Sequence, residues 1–477
     1  MSRRQRGRES ISGRFNFCGD AGGTLNRLLH WMGNNILLTM QGKYLPVVFT
    51  ILLLVAACDF LGNSSNLNAT PVIATPTLDS STPLPAGTPD AAQFITPTED
   101  SLTVTIWLPP EIASRTEAGV AALEQQWLAF RLARPDAVLV VEQKNVLGQG
   151  GILHYLRTGR NVAPSVLPDL IALPTNQLVV AANEELIYPV GDWLDPELAE
   201  DLYPAARRLG QADEHLIGYP FALVNLPHLV YHSEFLTDTL PLTWNELITN
   251  VEAQFVFPAA GPDGALLLLH FYLASGGEVV NDSQQSVLQV EPLTNALMQF
   301  SQAQSSNFLL GDSNSLTAPD EVWQLFQSDS SLIALTTASQ FLRLRSEDFE
   351  PAFASIPGLQ APLTPLLDGW AWAISTPDPA RRMLALELLA ALTTDESLGQ
   401  WSYASNMLPA QPGAFAFWPA EDNYSEFVQT ELEQADSFPG GMDSELLTIF
   451  QNALLNVISL GMSPQAAAEQ AVMALQP

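Results

Sequence analysis

Cysteine is nearly absent from this sequence. Its two cysteines are Cys18, near the amino terminus, and Cys58, which follows an apolar segment. If the chain is cut before Cys58, as argued below, no disulfide can form within the exported protein. The 420 residues from Cys58 to the end are enough for two domains with sizeable cores, and those cores must supply the stability.

Lysine and arginine are also scarce. The whole chain has 19 of them against 51 aspartates and glutamates, and the part from Cys58 onward has 12 against 49, a net charge of −37. A nucleic-acid-binding surface needs clustered basic residues that displace counterions, so this balance argues against nucleic acid as a partner. It also argues against docking on anionic lipid by charge, so any membrane attachment must use another anchor.

The apolar segment before Cys58 is too short to cross a membrane. It runs from Leu45 to Ala57, 13 residues, and a helix of that length falls well short of a hydrocarbon core about 30 Å thick. Its length and the small residues that end it are typical of a signal peptide. The end of the segment, Val55-Ala56-Ala57-Cys58, resembles the bacterial lipobox, which implies that Cys58 is lipidated and becomes the mature amino terminus. The alternative is a buried strand that ends in an ordinary cysteine.

The residues before this segment fit a signal peptide poorly. A positively charged region normally lies directly before the apolar core, yet most of the arginines lie far from it: Arg3, Arg4, Arg6, Arg8 and Arg14. The pair Arg3-Arg4 could indicate a twin-arginine signal, but no apolar core follows it closely. The stretch from Met40 to Tyr44 has the normal pattern, so we expect translation to begin at Met40. Residues 1–57 are therefore predicted to be a leader and a lipoprotein signal peptide.

The next segment, residues 58–100, is predicted to be a disordered tether. It lacks Lys and Arg, and Thr-Pro recurs five times along it. Proline removes backbone donors, and the segment has too little apolar surface to pack. Its reach lies between roughly 35 Å as a flexible coil and roughly 125 Å as polyproline II, so it would hold a folded body clear of the membrane.

The folded body, residues 101–477, is predicted to begin with an α/β pattern. "LTVTIW", "AVLVVEQ" and "DLIALP" predict three strands, and helical spacing of apolar residues separates them, over Glu117 to Leu132 and around Ile152 to Leu156. Strands alternating with helices predict a parallel sheet covered on both faces. Ligands of such sheets bind beyond the carboxyl ends of the strands, here in the loops after Trp107 and Leu173.

The pattern changes in the middle of the body. Two short extended runs surround Pro220 and Pro227, after which strand and helix units resume. Near the end, Asp378-Pro379 predicts the start of a long helix to about Leu392, and Ser463-Pro464 predicts the start of a terminal helix. Two α/β lobes joined by extended crossings account for these features.

Motifs for catalysis and metal binding find little support. Gly311-Asp312-Ser313-Asn314-Ser315 is similar to a GDS-type esterase box, but it does not follow the first strand and lacks the late Asp-x-x-His. There is no G-x-S-x-G elbow. His228 and His232 lie in an extended run, where residues four apart are roughly 13 Å from each other and cannot chelate one ion. No metal or cofactor is therefore predicted, although counting carboxylates cannot exclude a glycosidase.

Aromatic side chains are better candidates, because sugar rings stack their C–H faces on indole while polar groups bind the hydroxyls. The candidate ligand contacts are Trp107, Thr175, Asn176, Tyr219, Tyr231, Trp370 and Trp372. Each lies at the end of a predicted strand, at a crossing, or, for Trp370 and Trp372, on one face of an extended run. Packing in the core is the alternative for each of these aromatic residues.

Several segments, in their order and spacing, resemble the bacterial family 1 extracellular solute-binding proteins, which include the maltose-type sugar binders. They are "HLIGYPF" followed by "LVYHSEFL", then "PLTWNEL", "SIPG" before "DGWAWAIS", and "ALELLAALTTDESLGQWSYASNMLPA". The resemblance runs over most of residues 100–477. It implies a two-lobe periplasmic-binding-protein-like fold with hinge crossings, a ligand cleft, closure on the ligand, and delivery to the permease of an ABC transporter.

From these crossings we expect one lobe to contain mainly residues 101–221 and 374–405, and the other mainly 222–373 and 406–477. The expected ligand is uncharged and rich in hydroxyls, with Trp370 or Trp372 as the stacking platform and Trp107 on the opposite lobe. A polyamine is the rival ligand, because it would gain from the acidic body. The expected protein is a lipid-anchored, extracytoplasmic receptor without catalysis. The alternatives are an extracellular glycan-processing or ester hydrolase, and a ligand sensor that does not serve transport.

Overall fold

The computed structural model describes residues 102–191, 193–212, 215–234, 240–281, 285–346, 348–439 and 444–475. All of them lie in one of the two compact units into which the chain divides, residues 92–477. The predicted leader, the signal peptide with Cys58 and the predicted tether lie outside the described residues. Within the described ranges, no helix combines the length and the apolar character that a membrane span needs.

The strands alternate with helices, as the sequence predicts. In chain order the strands are β1 (Leu102–Leu108), β2 (Ala137–Gln143), β3 (Leu170–Pro174), β4 (Gln211–Ala212), β5 (His215–Leu216), β6 (Tyr219–Val224), β7 (Pro227–Tyr231), β8 (Gln254–Val256), β9 (Leu332–Thr337), β10 (Ala352–Ala354), β11 (Leu366–Ile374), β12 (Leu408–Pro409) and β13 (Asp436–Ser437). The three strands predicted first along the chain, β1 to β3, are confirmed.

The helices, in chain order, are α1 (Pro110–Ala113), α2 (Glu117–Ala133), α3 (Ile152–Gly159), α4 (Thr175–Asn183), α5 (Pro196–Glu200), α6 (Pro204–Leu209), α7 (Trp244–Asn250), α8 (Pro262–Ala274), α9 (Val290–Ser305), α10 (Pro319–Ser328), α11 (Ala338–Leu344), α12 (Pro379–Leu392), α13 (Asp395–Ala404), α14 (Asn423–Gln434), α15 (Ser444–Ile458) and α16 (Pro464–Leu475). Short 3₁₀ helices lie at Pro164–Val166, Gly311–Ser315 and Pro412–Phe417. Helix α12 begins as predicted, because the Asp378 side chain accepts hydrogen bonds from two backbone N–H groups of its first turn.

Two sheets organise the body. The first has the order β12-β6-β11-β3-β1-β2, with β13 paired to the start of β11. Strands β1, β2 and β3 run parallel, as predicted, whereas β11 is antiparallel to both β3 and β6. The second sheet has the order β10-β7-β9-β8, in which β8 and β9 are parallel and β7 is antiparallel to β9.

Buried apolar clusters cover the faces of these sheets. One face of the first sheet packs on helices α3 and α4. Its other face packs on α2 and α12, in a cluster that continues onto one face of the second sheet. The other face of the second sheet packs on α8, α9, α15 and α16. Each sheet is therefore buried on both sides, and its open positions are at the strand ends.

The chain passes from the first sheet to the second between β6 and β7, through Asn225 and Leu226. Asn225 has a φ of +61°, a left-handed conformation that asparagine adopts more readily than most residues. The chain returns to the first sheet between β10 and β11, along residues 355–365. These two connections lie where two lobes would hinge.

One part of the predicted lobe division is wrong. Residues 366–373 were expected in the second lobe, but β11 lies between β3 and β6 in the first sheet. The short strand β12 also pairs with β6 rather than with the second sheet. The physical reason is that β11 pairs antiparallel with β3, about 200 residues earlier in the chain. The hydrophobic pattern within one segment does not show which distant strand it pairs with. The remaining lobe boundaries stay a prediction.

Candidate functional site

The carboxyl ends of β1, β3 and β6 and the start of the antiparallel β11 lie on one edge of the first sheet. Strand β1 has β2 on one side and β3 on the other, so the chain order reverses there. A sheet of this kind binds ligands outside the carboxyl ends of its strands, near such a reversal. We call this side of the first sheet, formed by these strand ends and not by an outermost strand, the first-sheet edge.

A carboxylate is held in place at the first-sheet edge. The hydroxyl of Thr175, at the start of α4, donates to Asp368 Oδ1 at 2.6 Å. The backbone N–H of Gly369 donates to the same oxygen at 2.7 Å and also lies 3.2 Å from Thr175 Oγ1. A Cβ on Gly369 would lie 2.5 Å from the carbonyl oxygen of Ala222, so only glycine allows this close strand packing. Asp368 is half-buried and, among the described residues, its Oδ2 accepts no hydrogen bond.

Two of the predicted ligand contacts lie beside this carboxylate. Trp370 pairs with Pro174, the residue directly before Thr175, and its side chain is half-buried. Asn176 follows Thr175 on α4 and is exposed. An indole face, a free carboxylate oxygen and an exposed amide therefore lie around the end of β3. Together they can stack on a ring and hydrogen-bond to hydroxyl groups.

A narrow, mainly apolar pocket with a few polar side chains lies where the second sheet meets the chain crossings. Its lining consists of Asn225, Pro227, Pro258, Asp263, Leu266, Leu267, His270, Pro319, Leu335, Thr336, Thr337, Gln340, Leu366 and Phe438. Its volume of about 20 Å³ is room for one or two water molecules. One lining residue, Asn225, directly follows Val224, the partner of Asp368 in the first sheet.

Polar groups in this crossing pocket are mostly hydrogen-bonded. The hydroxyl of Thr336 donates to Gln340 Oε1 at 2.8 Å, and Thr337 caps helix α11. Asp263, near the start of α8, is half-buried, and burial raises the pKa of its carboxyl. No lysine or arginine lines the pocket. Strand β9 thus contributes hydroxyl groups to the junction, helix α11 contributes the Gln340 amide, and helix α8 contributes the Asp263 carboxyl.

A buried histidine connects this pocket to the crossing. His270 Nδ1 lies 2.6 Å from the carbonyl oxygen of Leu266, so Nδ1 carries the proton and donates. His270 Nε2 then accepts the backbone N–H of Leu366, the first residue of β11, at 3.3 Å. Burial lowers the pKa of His270 to about 4. The neutral imidazole therefore holds the start of the returning strand.

We expect the protein to lose stability as the pH falls from 6.5 towards 4, with His270 as one cause. The folded protein keeps His270 neutral, whereas the unfolded chain binds a proton below about pH 6.5. The unfolded state then binds more protons than the folded state, so the free energy of unfolding decreases as the pH is lowered. His270→Gln keeps an acceptor for Leu366 without titrating. Urea unfolding at pH 7 and pH 5 should show a smaller loss for this variant, and an unchanged loss would contradict the role assigned to His270.

Trp107 lies in the first sheet and not on an opposite lobe, which corrects the sequence prediction. The same correction places Trp370 and Trp372 in this sheet, because β1, β3 and β11 are neighbours. Trp107 is 4% exposed, its ring meets Tyr155 edge to face at 5.6 Å, and Lys144 Nζ lies 4.7 Å from its ring centre. Lys144 and Tyr155 therefore cover the indole that was expected to be free for stacking.

Three further predicted contacts are core residues. Trp372 is 2% exposed and stacks on Phe221. Tyr219 is fully buried near the amino end of β6, and its hydroxyl donates to the carbonyl oxygen of Leu198. Tyr231 pairs with Ile333 and packs in the core of the second sheet, four residues along β7 from the crossing. The structure therefore places these three side chains in the core and away from the open edge, because of the positions that they occupy along their strands.

The motifs weighed for chemistry have structural roles here. Ser313 of the esterase-like motif is buried, and its Oγ accepts the backbone N–H of Phe257 at 3.4 Å. His228 is buried, and burial lowers its pKa to about 4. His232 Nε2 lies 2.9 Å from the carbonyl oxygen of Phe326. In the part of the chain that the structure describes, no group of three or more His, Cys, Asp or Glu could hold a metal ion.

Sequence reasoning missed Asp368 and Asn225. Asp368 is one of 51 acidic residues, and only its bond to Thr175, 193 positions away, distinguishes it. For Asn225 a local signal existed, because Asn between two extended runs favours a left-handed turn conformation. That signal indicates a turn but not that the turn joins two sheets.

The fold and the site define a class of protein: an α/β body with two sheets, in which the chain passes from one sheet to the other beside an open polar edge. Residues 157–429 match the family model described as bacterial extracellular solute-binding protein. This match covers more than half of the chain, so the chain belongs to that family. No curated protein matches the chain by sequence.

Solved structures share this fold at low sequence identity. The sugar-binding protein MalE from Xanthomonas citri is 16% identical, with a TM-score of 0.64 over 78% of this chain and 96% of its own. The maltose-binding periplasmic protein MalE from Listeria monocytogenes, solved with maltose, is 16% identical, with a TM-score of 0.62 over 79% and 97%. The cyclic alpha-maltosyl-1,6-maltose binding protein from Arthrobacter globiformis is 15% identical, with a TM-score of 0.61 over 79% and 98%. The predicted two-lobe binding-protein fold is thereby confirmed.

Proposed function

We propose that this protein is a lipid-anchored extracytoplasmic receptor that captures a carbohydrate and delivers it to the permease of an ABC transporter, without catalysis of its own. The observation that carries the proposal is the first-sheet edge, where the Asp368 carboxylate, held by Thr175, lies beside the half-buried indole of Trp370. Carboxylate oxygens accept hydrogen bonds from sugar hydroxyls, and an indole stacks on the ring. The sugar-binding proteins that share the fold support the choice of ligand class.

The protein captures its ligand because the ligand binds the closed arrangement of the two sheets more tightly than the open one. The crossing pocket holds only one or two waters, so a sugar enters this junction only when the two sheets move apart at the crossings. A ligand that contacts both Asp368 on the first sheet and groups such as Asp263, on the helix α8 that packs against the second sheet, stabilises the closed arrangement. Asn225 and the segment 355–365 are the connections that would absorb the motion.

The test is thermal unfolding of the purified chain with a panel of mono- and oligosaccharides, amino acids and polyamines. A ligand present at 100 times its dissociation constant adds about 2.7 kcal/mol to the free energy of unfolding. We expect an oligosaccharide to raise the midpoint, with an affinity nearly independent of salt because the ligand is uncharged. A rise only with polyamines and a steep salt dependence would instead support the cationic rival. Steady release of product from the bound sugar would support the hydrolase alternative.

The anchor is tested separately. We expect mass spectrometry of the membrane-extracted protein to find a diacylated peptide that begins at Cys58, because Val55 to Cys58 resembles a lipobox after a short apolar segment. Cys58→Ala should leave the chain uncleaved at this position. An intact peptide that spans Ala57 and Cys58 in the mature protein would contradict the anchor.

A further inference from the structure

The outer side of strand β2 is open to another strand. β2 is the last strand of the first sheet, and β1 is its only partner among the described residues. Val140 and Val141, in the middle of β2, are 37% and 41% exposed. Proteins commonly protect an outermost strand with proline or a bulge, and β2 has neither. This side runs along β2 and is separate from the first-sheet edge, which consists of strand ends.

The parallel ladder with β1 determines which backbone groups of β2 point outward. The N–H of Leu102 donates to the carbonyl oxygen of Asp136 at 3.1 Å, and the N–H of Lys144 donates to the carbonyl oxygen of Leu108 at 2.9 Å. The register between these two bonds is regular, so the even-numbered residues of β2 bond to β1. The odd-numbered residues therefore point their N–H and C=O groups away from the sheet: Leu139, Val141 and Gln143.

Helix α2 adds exposed apolar side chains on the same side. Leu128 and Leu132 lie one turn apart on α2 and are 53% and 65% exposed. The opposite flank of α2 faces α13, because Gln126 Nε2 donates to a backbone carbonyl of α13 at 2.7 Å. Helix α13 lies over β6, where Trp401 meets Phe221 with ring centres 5.4 Å apart. Since β6 and β2 lie on opposite sides of β1, the two leucines are on the flank nearer to β2.

A second copy of this chain fits this surface. Two β2 strands can pair antiparallel about a two-fold axis, the commonest symmetry of protein dimers. When Val140 is at the centre, the two Val140 residues face each other as a non-hydrogen-bonded pair, because their own N–H and C=O groups bond to β1. Leu139 of each copy then exchanges backbone hydrogen bonds in both directions with Val141 of the other. The outward groups of β2 are satisfied by this pairing.

Charge distinguishes this register from its neighbours. With Val140 at the centre, Asp136 of one copy lies opposite Lys144 of the other, at both ends of the pairing. A shift by one pair in one direction would place Asp136 opposite Glu142, and a shift in the other direction would leave Lys144 opposite a valine. Opposite charges directly across a strand pair stabilise it, and like charges destabilise it. Charge complementarity therefore favours the register centred on Val140.

We propose that two copies of this chain associate through their β2 strands, which pair antiparallel about Val140 and join the two first sheets into one continuous sheet. Leu128 and Leu132 of each copy flank the pairing on one face. The first-sheet edge takes no part in the contact, so the association does not depend on the ligand or on its capture.

The test is disulfide trapping in the purified full chain in detergent, at about 0.15 M salt, where distant charges are largely screened. Residues 102–477 contain no cysteine, so an introduced cysteine reports one position, and the parent is oxidised in parallel. Val140→Cys should give a linked dimer, because Cα atoms about 4.5 Å apart are within disulfide range. The matched control is Val179→Cys, at a residue of α4 that is 45% exposed. We expect linkage at least about tenfold faster at Val140 than at Val179.

Charge and backbone variants test the pairing without a disulfide. Val140→Lys and Val140→Glu should each weaken association several-fold in sedimentation velocity, because like charges would meet at the centre. An equimolar mixture of the two should regain it. Val141→Pro removes an outward N–H and leaves the bonds to β1 in place, so it should weaken the dimer in a chain whose circular dichroism matches that of the parent.

Four results would each overturn the proposal. They are equal linkage at Val140 and Val179, faster linkage for Val141→Cys than for Val140→Cys, a mixture of the charged variants that associates no better than either alone, and a purified parent that stays monomeric. The last result is expected if another segment of the chain or another protein covers β2.

Discussion

Replacement of Trp372 by alanine is expected to lower the free energy of unfolding by about 3–5 kcal/mol, the cost typical of removing a large aromatic side chain from a core. Its ring lies 4.6 Å from that of Phe221 with an interplanar angle of 21°, and the site is closed to solvent. Few side chains can move into the space without leaving favourable rotamers. The measurement is chemical denaturation followed by circular dichroism.

Trp370→Ala is the matched control, because it makes the same change two residues along the same strand at a half-buried position. We expect it to cost clearly less stability than Trp372→Ala and to weaken ligand binding. Equal losses of stability in the two variants would contradict the assignment of Trp372 to the core and Trp370 to the open edge.

The different roles of these two tryptophans show where sequence reasoning ends. Alternation along "DGWAWAIS" correctly predicts an extended run, since the period of a strand is local. The depth of each side chain depends on what lies beside β11, and its neighbours β3 and β6 are far away in the chain. Trp372 lies opposite Tyr219 in the middle of the sheet, while Trp370 lies opposite Pro174 near the edge.

The same distinction applies to Tyr231 and Thr175. Thr175 lies at the edge because it directly follows β3, whose direction is set by the parallel pattern of the first half of the body, although its side chain is buried. Tyr231 also ends a strand, but β7 runs antiparallel to β9, so its end lies on the side away from the crossing. Whether the end of a strand is accessible to a ligand depends on the strands with which it pairs. The alternation of apolar and polar residues within one segment does not show its pairing with a distant segment.

Asp368→Ala is expected to lower affinity for the captured sugar by about 2–4 kcal/mol, roughly 30-fold to 1,000-fold. Its Oδ1 is occupied by Thr175 and Gly369, which fixes the carboxylate and leaves Oδ2 available as an acceptor. A preorganised charged acceptor binds hydroxyl groups more strongly than a neutral one does. The measurement is calorimetric titration with the sugar that raises the unfolding midpoint, on variants whose circular dichroism matches that of the parent.

Two further variants separate the charge of Asp368 from its position. Asp368→Asn keeps the shape and one acceptor oxygen, so it should lose less affinity than Asp368→Ala. Thr175→Val keeps the carboxylate but removes the hydroxyl that holds it, and we expect an intermediate loss with unchanged salt dependence. Because the sugar is uncharged, its binding to all three variants should vary little with ionic strength. If Asp368→Ala binds the sugar as tightly as the parent does, the first-sheet edge is not where this protein holds its ligand.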